Sequence, residues 1–94
     1  MDKTEAQRLL TKEHARYRAC SYDDLVSFIK SPPVTAEVLG ESGTRYQLEM
    51  LFFWDNKKRE DIRVIGAIDD GGMRAFMPLT DSFIMASDGS FIDE

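Results

Sequence analysis

The spacing of apolar residues changes period once along the chain, near residue 33. Before that point Ala6, Leu9, Leu10, Tyr17 and Cys20 recur at helical intervals, interrupted by the polar Glu13. Thr4-Glu5-Ala6-Gln7 has the spacing of a capping box, with Asp2-Lys3-Thr4-Glu5 as an alternative start two residues earlier. Neither Gly nor Pro interrupts the run to Arg18. Ser21 reads as a fresh N-cap, with Asp23 and Asp24 in the first turn, where the helix dipole favours negative charge. Leu25, Val26, Phe28 and Ile29 supply the apolar side of this second helix, and Pro32-Pro33 stops it by forcing Ser31 out of the helical region.

Beyond Pro33 the period is two. Val34, Ala36 and Val38 form one side of a first strand, and Gly40-Glu41-Ser42-Gly43 is its turn. Arg45 to Asp55 is a long second strand, Asn56 to Glu60 a polar turn, and Asp61 to Asp69 a third strand. Asp70-Gly71-Gly72 offers the positive φ of a tight hairpin, leading to a fourth strand over Met73 to Leu79 with Pro78 at its end. The apolar tail Ser82 to Ala86 is left open between a fifth strand and a helical turn. Helices first and a strand meander afterwards predict an α+β fold, a helix pair packed on a curved four- to five-stranded antiparallel sheet, as one domain over residues 1–94.

The second strand carries the strongest signal. Tyr46, Leu48, Met50, Phe52 and Trp54 share one face with Val34, Val38, Val64, Ile68, Met73 and Met77, the face expected under the helices. The other face begins polar with Arg45, Gln47 and Glu49, then turns apolar at Leu51 and Phe53, and Ile65 and Phe76 fall where they extend that patch. A strand with one solvated face alternates throughout, so an apolar second half implies a cover. One helical layer covers only one face. The cover is therefore either the Phe83-Ile84-Met85 tail or another chain, and Leu51, Phe53, Ile65 and Phe76 are the interface candidates.

The segment Glu13-His14-Ala15-Arg16-Tyr17-Arg18-Ala19-Cys20-Ser21-Tyr22-Asp23-Asp24-Leu25 resembles the first helix and corner of the nuclear-transport-factor-like superfamily. That family shows an aromatic and a small residue, a short polar corner, then Asp and an apolar helix. The chain is shorter and has no helix between its strands, so the simpler cystatin-like form is the nearer likeness. The resemblance implies a pocket between helix and sheet and dimerisation through the sheet. Enzymes of the superfamily use Asp, His and Tyr in that pocket, and no such motif matches here residue by residue.

Composition narrows the function classes. The net charge is −5, and residues 32–94 carry six basic against twelve acidic side chains. An acidic sheet half repels phosphate, which argues against nucleic acid and anionic membranes as partners and leaves a surface suited to a basic protein. Six Phe, three Tyr, one Trp and 43% hydrophobic residues argue for a folded chain. A single cysteine excludes an intrachain disulfide framework. With no apolar run of membrane-spanning length, a cytoplasmic location is expected.

Few residues invite chemistry. His14 is the only histidine, expected as a partly exposed or hydrogen-bonded helix residue. With Cys20 it makes two soft ligands, short of a zinc set. Asp69, Asp70, Asp81 and Asp88, and Asp55 with Glu60 and Asp61, cluster at turns that already explain them, without calcium-loop spacing. No catalytic residue, metal site or cofactor is read from the sequence. Tyr17, Tyr46 and Trp54 are candidate pocket walls, although aromatics at core spacing are first of all core. The leading expectation is a non-enzymatic interaction module that forms a homodimer through its sheet. A small-molecule binder with a pocket between helix and sheet, or an enzyme of that fold, is the alternative.

Overall fold

The computed structural model describes residues 2–58, 60–72 and 78–92. Helices α1 (Lys3–Arg18) and α2 (Tyr22–Ile29) precede strands β1 (Val34–Leu39), β2 (Arg45–Trp54), β3 (Ile62–Asp69), β4 (Leu79–Met85) and β5 (Phe91–Ile92). Each strand pairs antiparallel with the next, giving a five-stranded open sheet in the order β1-β2-β3-β4-β5. The fold is α+β, with both helices at the N-terminus.

Local chemistry sets the element ends. Asp2 caps α1, its side chain accepting from the Glu5 amide at 3.0 Å, so the earlier of the two possible starts is used. Ser21 caps α2 by accepting from the Asp24 amide at 3.1 Å. The β1–β2 hairpin closes through Gly40 N–H to the Thr44 carbonyl at 2.8 Å and Gly43 N–H to the Gly40 carbonyl at 3.0 Å. Gly43 has φ of 90°, the left-handed residue that a three-residue hairpin loop requires.

The helices lie on the face the alternation selects. Tyr46, Leu48, Met50, Phe52, Val64 and Ile68 are buried with Leu10, Tyr17 and Leu25, while Val34, Val38 and Trp54 are half-buried at its margin. Met73 and Met77 lie outside the described residues.

The fourth strand differs from expectation. Of the predicted Met73–Leu79 strand, residues 73–77 lie outside the described residues, and Leu79 begins β4 rather than ending it. The tail is therefore a sheet strand, and it does not fold across the second face. Phe83 and Met85 are buried on the helical side, opposite Val64 and Ile62 on β3. The His14 ring meets Phe83 edge-on at 5.5 Å, and the Arg18 guanidinium lies 4.7 Å from the Phe83 ring centre and 5.0 Å from that of Phe91. These contacts hold the β4–β5 hairpin to the C-terminal half of α1.

Two glycines set how closely α1 approaches. A Cβ on Gly66 of β3 would stand 2.5 Å from His14 Nε2 and 2.7 Å from Leu10 Cδ1. A Cβ on Gly40 would stand 2.5 Å from Glu5 Oε1 and 2.9 Å from the Tyr46 ring. The helix thus rests on backbone at the N-terminal end and at the middle of its buried stripe, and the closest packing needs no side chain there. Gly66→Ala is expected to cost about 1–3 kcal/mol in urea unfolding through overpacking. A neutral or stabilising result, the usual sign for Gly to Ala in a strand, would show that the helix is not seated on this position.

Candidate functional site

The sheet surface turned away from the helices is built by the odd-numbered positions of β2 and their partners. Across it, Leu51 faces Ile65 and then Ser82, while Phe53 faces Arg63, Ile84 and Ile92 in turn. Ala67 lies between Glu49 and Thr80. The apolar part is thus a contiguous area over four strands, formed by Leu51, Phe53, Ile65, Ile84 and Ile92. Phe53 is 40% exposed, and among the described residues no element packs over it.

The cation inside this area is already neutralised. Arg63 Nε donates to Asp55 Oδ1 at 2.7 Å, with both side chains partly buried. The guanidinium's charge is met within the chain, and its aliphatic stem adds to the apolar surface. The remainder of the face is wet. Glu37 accepts from Arg45 at 2.8 Å and from Gln47 at 3.2 Å, contacts that hold its carboxyl below the usual range. Glu49 and Asp69 border the apolar half on β2 and β3.

Three of the four interface residues expected from sequence, Leu51, Phe53 and Ile65, are brought together here, and Phe76 lies outside the described residues. Ile84 and Ile92 extend the patch beyond the expected residues, because the strand that pairs with β3 is Leu79–Met85 and β5 pairs with it in turn. The alternation of Phe83 and Met85 against Ile84 was the signal that could have found Ile84.

The pocket candidates separate. Tyr17 is enclosed by Phe52 at 5.2 Å and Phe28 at 5.7 Å between ring centres, and Phe28 stacks on Phe52 at 4.8 Å. Tyr46 is fully buried, its hydroxyl donating to Glu5 Oε1 at 2.7 Å. Burial, with the Glu5 carboxylate beside it, pushes that hydroxyl up to about 12. Only Trp54 borders open space, a groove of about 470 Å³ between α2 and the end of β2, which Val26, Ile29 and Lys58 also line.

Glu5, Asp69, Asp70, Asp88 and Cys20 are engaged structurally. Glu5 accepts from the Ser42 hydroxyl at 2.6 Å and from the Ser42 amide at 3.0 Å, as well as from Tyr46, and these donors lower its carboxyl from the usual value. Asp69, Asp70 and Asp88 accept from the amides of Gly71, Gly72 and Ser90 in their own turns. The Cys20 thiol donates to the Arg16 carbonyl, one helical turn back. No group of three metal-ligating side chains occurs among the described residues. No helix among them is long and apolar enough to cross a membrane.

His14 corrects the expectation of a partly exposed or hydrogen-bonded ring. It is 3% exposed, and its Nε2 has no hydrogen-bond partner over Gly66. Burial lowers its pKa from 6.5, and nearby Arg18 adds to this, against the opposing pull of Asp81 and Glu13. Its place between α1 and β3 suits a neutral core ring rather than a proton carrier.

A histidine depressed in the fold takes up a proton more readily once unfolded. Its contribution to stability is intact above 6.5 and is lost as pH falls from there through the folded value. Urea midpoints of the wild type should therefore fall between pH 7 and about 5. His14→Leu should flatten that decline, leaving the carboxylate losses at lower pH. An unchanged slope in the variant would show that His14 is not held neutral.

No family model, no curated protein and no solved structure matches the chain.

Proposed function

We propose that this protein is a non-enzymatic interaction module that self-associates through the open face of its sheet. The observation that carries the reading is the contiguous apolar area of Leu51, Phe53, Ile65, Ile84 and Ile92, with Phe53 standing 40% exposed at its rim. The tail that would have covered it within the chain is committed to the helical side through Phe83 and Met85.

A second copy is the occupant that best suits this surface. Two apolar sheet faces pack with side chains interdigitating across about 10 Å, and a two-fold axis sets like surface on like. Because Asp55 already neutralises Arg63, burying the face strands no unpaired charge at its centre. Glu49 and Asp69 remain at the border, where a basic protein partner could also be met.

Phe53→Glu places a carboxylate in this area. Light scattering should give twice the chain mass for the wild type and the chain mass for the variant, with unchanged far-ultraviolet circular dichroism. A wild type that is monomeric at all concentrations, or a variant that keeps the doubled mass, would remove the reading.

A further inference from the structure

The groove beside Trp54 lies on the helical side, opposite the sheet face described above, and it has a chemistry of its own. Tyr22, Val26 and Ile29 occupy successive turns of α2 and form one wall. Trp54, at the end of β2, forms the other. All four are half-buried and packed against the core, so the apolar floor is held by the fold itself. Tyr22 is fixed further by its hydroxyl, which donates to the Glu60 carbonyl at 2.6 Å and ties α2 to the β2–β3 turn. The volume of about 470 Å³ falls in the range of small-molecule sites, roughly 300–1,000 Å³.

Its charges are arranged with a direction. Lys30 caps the C-terminal end of α2 and Lys58 stands on the β2–β3 turn, both on the lining of the groove. Neither forms an ion pair among the described residues. Asp23 lines the groove seven residues before Lys30, about 10 Å along the helix axis. An anionic head is therefore attracted toward Lys30 and Lys58 and repelled from Asp23. Two lysines beside an apolar floor also stand out in a chain of net charge −5.

We propose that this groove binds a small amphiphilic carboxylate, its apolar tail lying on Trp54, Val26 and Ile29 and its carboxylate meeting Lys30 and Lys58. The lysines supply point charges rather than a bidentate fork, so the site selects for an anion and an apolar tail without demanding one head geometry. Its occupancy does not depend on the oligomeric state, because the sheet face lies on the other side.

Trp54 is the only tryptophan, so its emission reports on the groove directly. Titration with sodium octanoate should shift that emission saturably, whereas octylammonium chloride at the same concentrations should not. In the Lys30→Glu, Lys58→Glu double variant, octanoate binding should weaken by about tenfold or more. No saturable shift with octanoate, an equal shift with octylammonium, or undiminished binding in a folded double variant would each overturn the proposal. If the double variant does not fold, the comparison of octanoate with octylammonium on the wild type decides the question alone.

Discussion

The seating of α1 on the sheet is the constraint on which the other features depend. The stripe Glu5, Ala6, Leu10, His14 and Tyr17 is buried along one side of the helix. It reaches the strands closely because Gly40 and Gly66 present no side chain beneath Glu5 at its N-terminal end and beneath Leu10 and His14 at its middle. At the N-terminal end the Glu5 carboxylate is held by Ser42 and Tyr46, so a buried charge is matched by three donors instead of being stranded. Toward the C-terminal end, His14 and Arg18 engage Phe83 and draw the last hairpin under the helix. A helix placed this way covers β3 and β4, and α2 covers β2. That uses the whole helical layer on one face.

The exposed face is the direct consequence. Once Phe83 and Met85 are committed to α1, strand alternation obliges Ile84 to point the other way, beside Arg63 and in line with Phe53. The same contacts that complete the core on one side therefore enlarge the apolar area on the other. A sheet face of this composition is poorly matched to water, and the proposed association would cover what no described element of the chain covers. The groove at Trp54 arises differently, from the short α2 ending at Ile29 while β2 runs on to Trp54.

Much of this was legible in the sequence where the signals are local. The Ser21 cap, the Pro32-Pro33 stop, the alternation of β1, β2 and β3, and the glycine turn at Gly43 are each set by neighbouring residues. The fourth strand was not, because Leu79-Thr80-Asp81-Ser82 opens it with little apolar periodicity and its register is fixed by pairing with β3. Glu5 was equally hidden. Its spacing from Asp2 reads as a capping-box residue, whereas its carboxylate accepts from Ser42 and Tyr46, 37 and 41 residues away. His14 was misjudged for a related reason, since only Gly66 on a distant strand makes room for a buried ring. Three residues of the apolar patch were nonetheless visible from the period-two pattern, as an excess that a one-sided sheet does not explain.

The most direct measurement of the central claim is isotope-filtered NMR on an equimolar mixture of labelled and unlabelled chains. Association through the sheet face predicts intermolecular Overhauser effects at the methyl groups of Leu51, Ile65, Ile84 and Ile92. Their absence at concentrations where association is otherwise evident, or their appearance only along β1 or on the helices, would contradict it.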